Sequence, residues 1–346
     1  MSDFHSLTIS RISQETPNAV SVTFDIPEHL KNTFRFKAGQ YITLKHELNG
    51  SEVRRAYSLC CTPSSGALTV GIKKVEGGTF SVYANETLKE GDSLEVMVPE
   101  GKFVWDSSVN HHAAFVAGSG ITPVLSIVKT ALGNDDNSTF LLVYGNQTLA
   151  ETMFADELAT LKETYPDRFS LEYIFSRSQE KNALRGRIDK SVVNYLLKNK
   201  YGEASYDRFY LCGPEAMIHE VSETLQGRGV DKTNILFELF TSSEADSPAP
   251  SGAGTTQVKV IVDDETFEYS MSQETSILDA ALEEDIDPPY SCQGGICSSC
   301  IARITEGKAE MRKNQILTDG EVAEGLVLTC QAHPTTPTLV VDYDDV

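Results

Sequence analysis

The stretch from residue 289 to residue 300, PYSCQGGICSSC, sets three thiols, Cys292, Cys297 and Cys300, within nine positions, and Cys330 follows after a further twenty-nine residues. The pattern C-x4-C-x2-C with a distant fourth cysteine is the spacing of a four-thiolate [2Fe-2S] site. Gly294 and Gly295 suit a loop that wraps a cluster, because glycine takes backbone angles closed to other residues and lets amide N–H groups approach sulfur. The competing chemistry is a tetrahedral zinc site. Zinc ribbons pair two short C-x2-C hooks, however, and here Cys330 stands alone.

The remaining composition agrees with a thiol-bound metal. Seven cysteines in 346 residues is an odd and sparse set for a secreted disulfide framework, so a reducing compartment is expected. The chain is long enough for two or three domains, each with its own core. Apolar residues make up 40% of it, which is globular rather than disordered composition. No run approaches the roughly 18 apolar residues of a membrane span, and the start MSDFHSLTIS has neither a basic nor an apolar leader region. A soluble cytoplasmic protein is expected. A net charge of -21 argues against nucleic acid and favours a partner with a basic face.

Around the cysteines, QVKVIVDDETFEYS alternates apolar and polar residues on both sides of an Asp-Asp-Glu turn, as a hairpin does. SILDAALEEDI has helical spacing, and CIARITEGKAEM and TLVVDYD read as strands. From residue 257 onward, 18 Asp and Glu face 5 Lys and Arg, a net charge of -13. Such a field orients a domain on a basic acceptor and raises the encounter rate. Residues 241–256, TSSEADSPAPSGAGTT, have the composition of a flexible linker.

Upstream, HHAAFVAGSGITPVLSIVKTAL reads as a strand ending near Ala117, a loop Gly118-Ser119-Gly120 and a helix, with Thr122 as N-cap and Pro123 at the first helical position. Val124, Ile127, Val128 and Ala131 fall on one helix face. A glycine turn feeding a helix offers amides and a positive dipole end to a phosphate. Further strands in STFLLVYGN, FSLEYIFS and DRFYLCGP alternate with helical segments, which predicts a doubly wound parallel sheet. Ligands bind such sheets at the strand C-termini, here marked by Gly118, Tyr144, Ser176 and Cys212. No acid stands at the equivalent strand ends. Ser176 and Arg177, with Arg185 and Arg187 shortly after, favour the 2′-phosphate of NADPH over the free ribose of NADH.

The N-terminal region has short alternating segments between Gly, Pro and Asn turns, which predicts an antiparallel barrel. Within RRAYS, Arg55 and Tyr57 share one strand face, a cation for a diphosphate beside a ring for a flat heterocycle. Cys60 and Cys61 read as packing residues.

The order FKAGQY, RRAYS, VEGGTFS, AGSGITP, YGN, FSRS, YLCGPEAM resembles the ferredoxin-NADP reductase superfamily, and residues 257–346 resemble plant-type ferredoxins, a β-grasp fold. The resemblance implies a flavin-binding β-barrel over 1–105, an NAD(P)-binding α/β domain over 106–240, the linker, and a [2Fe-2S] domain over 257–346. It implies a flavin, with FAD favoured and FMN left open because some relatives with this module order use the smaller flavin. Arg55 is then on the pyrophosphate, Tyr57 stacked on the isoalloxazine and Ser58 near N5, with Ala56 between them also at the cofactor. Gly77, Gly78, Thr79 and Ser81 match the second flavin-phosphate motif. Gly118, Gly120, Thr122 and Pro123 match the pyridine-nucleotide loop, and Cys212, Gly213 and Pro214 the segment beside the nicotinamide. Glu238 and Phe240 match the terminal element near the flavin. Ser58, Cys212 and Thr122 are the residues expected nearest hydride transfer, Cys212 as a positioning contact rather than a reactive thiol. The cluster ligands are Cys292, Cys297, Cys300 and Cys330. The implied activity is electron transfer from NADPH through flavin and cluster to an oxygenase, or to another acceptor such as a hybrid-cluster protein. By the residues alone, a redox-sensing binding protein and a structural zinc domain stay open.

Overall fold

The computed structural model describes residues 4–240 and 254–346. Two compact units emerge, one built from His5–Val53 and Tyr57–Phe240, the other containing the C-terminal segment. Most of the expected linker, 241–253, lies outside the described residues.

The chain opens on the antiparallel pair β1 (Phe4–Thr16) and β2 (Ala19–Phe24), followed by β3 (Tyr41–Leu48), β4 (Ser51–Ser58), β5 (Leu68–Lys73), helix α1 (Phe80–Glu86) and β6 (Ser93–Met97). The sheet order is β4-β3-β6-β1-β2-β5. A bridge between Leu59 and Val70 joins its two edges, so the sheet closes into the barrel that the short alternating segments predict. Its interior is apolar: Leu7, Val22, Ile42, Leu44, Val70, Ile72 and Val96 are buried together.

A parallel sheet follows: β7 (His111–Ala117), α2 (Ile121–Asn134), β8 (Thr139–Asn146), α3 (Ala155–Thr164), β9 (Phe169–Phe175), the two-residue β10 (Leu184–Arg185), α4 (Lys190–Asn194) running into a π-helical turn over Tyr195–Lys200, β11 (Arg208–Cys212), α5 (Glu215–Gly227) and β12 (Ile235–Glu238). The order is β10-β9-β8-β7-β11-β12. The order reverses beside β7, where β11 leaves on the opposite side from β8, and that point is where open α/β sheets bind ligands. Helix α2 is buried on far more than one face: besides the expected stripe, Ile121, Leu125, Ser126, Thr130 and Leu132 are also inaccessible. The sheet covers one side of the helix and the barrel reaches the other, where Ser126 Oγ donates to the Cys61 carbonyl at 2.6 Å. Gly71 in β5 makes that approach possible, since a Cβ there would stand 2.7 Å from Thr122 Cγ2 and 3.1 Å from Met153 Cε. Cys60 and Cys61 are buried thiols in contact with the Thr69 and Ala67 carbonyls.

In the C-terminal segment, β13 (Thr255–Val262) begins two residues before the expected start of the domain and pairs with β14 (Glu265–Ser272) across Asp263 and Asp264, both at positive φ. The expected hairpin is therefore present, with a turn both of whose residues are left-handed, conformations that Asp adopts more readily than most residues. Helix α6 (Ile277–Glu283) is capped by Ser276, whose hydroxyl accepts from Asp279 N. CIARITEGKAEM is two strands in different sheets, β15 (Ile301–Glu306) and β16 (Ala309–Met311), because Gly307 at positive φ turns the chain between them. The remaining elements are α7 (Asp319–Ala323), β17 (Leu326–Leu328), β18 (Ala332–Pro334) and β19 (Thr338–Asp342), giving the mixed sheet β14-β13-β19-β15-β17 packed on α6. Among the described residues no helix is long and apolar enough to cross a membrane.

Candidate functional site

The C-terminal edges of β7 and β11 form one end of the site. Beyond β7, Gly118–Gly120 is a single 3-10 turn rather than a loop, and it runs directly into α2. Gly120 has no alternative: a Cβ there would lie 2.2 Å from the Cys212 carbonyl oxygen. Tyr144 does not line the site as a strand terminus should. It is fully buried, and its hydroxyl donates to the Gly118 carbonyl at 3.0 Å, bracing the turn from beneath. Thr122 and Pro123 are also not where their residue types placed them. The helix starts at Ile121, so Thr122 is its second residue and Pro123 its third. Gly120 is already in the right-handed conformation, leaving no extended N-cap position, and the Thr122 hydroxyl donates backward to the Ser119 carbonyl at 3.0 Å. Gly213 and Pro214 lead from β11 into α5, so two helices of 14 and 13 residues begin at adjacent strand ends and present positive dipole ends there.

The edges of β8 and β9 continue the site. Ser176 N donates to the Asn146 carbonyl at 3.0 Å, and Arg177 N to that of Gln147 at 2.8 Å. Arg185 is carried beside the end of β9 by its register with Phe175. Arg177, Arg185 and Arg187 are exposed and make no ion pair among the described residues. Among the described residues the Ser178 hydroxyl at this edge meets no hydrogen-bond partner.

In the barrel, β4 alternates as expected. Arg55 is exposed, with one guanidinium nitrogen on the Arg54 carbonyl at 2.7 Å; Ala56 and Tyr57 are half-buried; and Ser58 is buried. The Tyr57 ring packs against Phe80 at 5.7 Å. Ser58 Oγ donates to Glu238 Oε2 at 3.2 Å, joining residues 180 positions apart. Glu238 stands opposite Cys212 in the parallel register of β11 and β12. Burial pushes the Glu238 carboxyl up to about 8, partly opposed by the Ser58 hydrogen bond. Burial, reinforced by the Glu238 carboxylate, holds the Cys212 thiol well above its ordinary range, which favours the protonated thiol over the thiolate. The fold thus gathers Ser58, Cys212 and Glu238. Phe240, just beyond β12, has its ring partly exposed. Gly77 is at positive φ and Gly78 N donates to the Val75 carbonyl, a tight turn leading through Thr79 into α1; the Ser81 hydroxyl accepts from Val75 N at 3.2 Å.

The four cysteines lie in the C-terminal unit. Among the described residues no group of three or more His, Cys, Asp or Glu side chains is set to hold a single metal ion. The thiols come instead as two hydrogen-bonded pairs, Cys292 with Cys297 and Cys300 with Cys330. Two pairs of thiols are what two irons, each taking two thiolates, ask of the donor set, so the residues fit a [2Fe-2S] cluster better than a lone zinc. The Cys297 thiol and the amides of Gly294, Ile296 and Cys297 hydrogen-bond to the Cys292 sulfur and lower its pKa, favouring thiolate.

Family models match three stretches of the chain. An oxidoreductase FAD-binding domain matches residues 6–105, an oxidoreductase NAD-binding domain 115–223, and a 2Fe-2S iron-sulfur cluster binding domain 260–335. The chain is 38% identical to one of the subunits of the 1,2-phenylacetyl-CoA epoxidase of Escherichia coli, over 99% of both chains. The chain belongs to the ferredoxin-reductase family. This reductase is also 32% identical to the ferredoxin reductase component of 3-ketosteroid-9-alpha-monooxygenase from Rhodococcus rhodochrous, over 97% of its own length and 96% of the relative's. The solved structure of phthalate dioxygenase reductase shares its fold, with a TM-score of 0.62 and 23% identity over 98% of each chain. The reductase is therefore an oxidoreductase with FAD-binding, NAD-binding and [2Fe-2S] domains in one chain.

One residue missed in the sequence stands out in the reductase. Lys73, the last residue of β5, brings its ammonium within 3.7 Å of where a Cβ on Gly118 would be, so a cation from the barrel overlooks the glycine turn. The only signal for it in the sequence was its place at the end of a strand.

Proposed function

We propose that this reductase takes reducing equivalents from NADPH and supplies them one at a time to the oxygenase component of a phenylacetyl-CoA epoxidase. The observation that carries the reading is the full-length 38% identity to the Escherichia coli epoxidase component, which spans all three modules in the same order. When bound, FAD accepts a hydride from the nicotinamide and the [2Fe-2S] cluster passes single electrons onward.

The chain's own residues position these groups. Arg55 and the Gly77–Thr79 turn supply donors to the flavin pyrophosphate, and Tyr57 flanks the isoalloxazine. Ser58 and Glu238 hold a proton between them: a carboxyl near 8 keeps most of its protons at neutral pH. The Gly118–Gly120 turn and the start of α2 face the dinucleotide phosphates, Cys212 to Pro214 lie beside the nicotinamide, and Ser176 and Arg177 receive the 2′-phosphate. Cys292, Cys297, Cys300 and Cys330 hold the cluster. The working division is 1–105, 106–240, 241–256 and 257–346. The acidic C-terminal domain docks on a basic face of the oxygenase, supported by its net charge of -13 over residues 257–346. Seven free cysteines support a reducing, cytoplasmic setting.

Cys297→Ser tests the path. Flavin reduction by NADPH is expected to persist while electron delivery to cytochrome c is lost; retention of both contradicts the proposed route. Capture of the oxygenase by the full-length reductase, with epoxidation of phenylacetyl-CoA restored on mixing, tests the partner.

A further inference from the structure

Ser291 stands immediately before Cys292, is 2% exposed, and its hydroxyl meets no hydrogen-bond partner among the described residues. Buried hydroxyls are bonded as a rule, so an orphan at this place calls for a group that the protein atoms do not supply. The neighbouring polar groups are already engaged. Thr329 Oγ1 donates to the Cys300 carbonyl at 3.0 Å, Gly294 N reaches the Cys292 sulfur at 3.4 Å, and Ser298 and Ser299 have partners. Ser291 is thus a buried donor left over at the position next in the chain to Cys292, whose sulfur already collects N–H groups.

We propose that the Ser291 hydroxyl donates a hydrogen bond to a sulfur of the [2Fe-2S] cluster and sets its reduction potential. This rests on the reading of Cys292, Cys297, Cys300 and Cys330 as the ligands. Reduction adds one electron, and the charge it places on the sulfurs strengthens any hydrogen bond they accept. A donor therefore favours the reduced cluster and raises its potential. Ser291 is a positioning and tuning residue, with no part in bond making.

The experiment is an EPR-monitored redox titration of the full-length protein and of S291A and S291T. Removing the hydroxyl is expected to disfavour reduction about tenfold, equal to about 59 mV for a one-electron couple, while threonine keeps the original potential. If S291A fails to take up the cluster and S291T loads normally at the original potential, the hydroxyl is again the required group. A coloured S291A protein with an unshifted potential overturns the proposal, as does an S291T protein that shifts or loses the cluster as S291A does, since volume and not the donor then matters. A wild-type protein with no iron and no EPR signal on reduction sinks the ligand reading instead, so the two failures are distinguishable.

Discussion

Replacing Glu238 by glutamine removes an ionisable group from a place where ionisation is costly, and keeps an acceptor for the Ser58 hydroxyl. The Glu238 side chain is almost wholly buried, and its carboxyl is raised from an ordinary 4.5 to about 8. The difference, about 3.5, multiplied by about 1.36 kcal/mol gives about 5 kcal/mol separating the cost of charging it in the folded and unfolded chains. Because the folded value is the higher, the folded state binds the proton more tightly. Stability from this group is complete below about 4.5 and is lost as pH rises through about 8. Between about pH 6 and pH 9 the loss is roughly 3 kcal/mol. For a unit of some 200 residues that corresponds to a Tm lower by roughly 5 to 10 °C. The assay is differential scanning calorimetry of the flavin-depleted protein, wild type and Glu238→Gln, across that pH range. The wild type is expected to lose Tm steeply toward alkaline pH while the glutamine variant stays flatter by that amount. Parallel profiles for the two proteins would refute the claim that Glu238 is charged at a cost inside this fold.

His112 provides the opposite slope. It is fully buried between Phe140 and Tyr210, neither ring nitrogen meets a partner among the described residues, and burial depresses its pKa from 6.5 to about 4. Its contribution is present above about 6.5 and is lost as pH falls through about 4, so His112→Phe is expected to recover about 3 kcal/mol at acid pH, read as a higher Tm near pH 4 than wild type. Arg177→Ala is expected to raise the KM for NADPH at least tenfold more than that for NADH; equal effects on both would remove Arg177 from 2′-phosphate recognition.

The sequence discloses local chemistry here better than it discloses assembly. The cysteine hook, the Asp263–Asp264 turn and the strand–glycine–helix unit around Gly118 are legible because each depends on residues close in the chain. The Ser58–Glu238 hydrogen bond is not: it depends on the parallel register of β11 with β12 and on closure of the barrel, 180 residues away. Thr122 misleads for a different reason. Its type favours an N-cap, but the preceding turn is already helical at Gly120, so the backbone has no cap position to fill. Helix α2 reads as one-sided because periodicity reports contrast, and contrast disappears where a second body covers the far face.

Gly71 bears on how such proteins are recombined. Barrel and dinucleotide sheet meet at a position with no side chain, where even a methyl group would strike Thr122, Met153 and Phe154. A chimera that joins this barrel to a nucleotide-binding half from a relative has to inherit a matching pair of surfaces, glycine on one side and the Thr122 and Met153 methyls on the other. The cassettes of this reductase are separable in sequence, yet the seam between the first two is cut to fit.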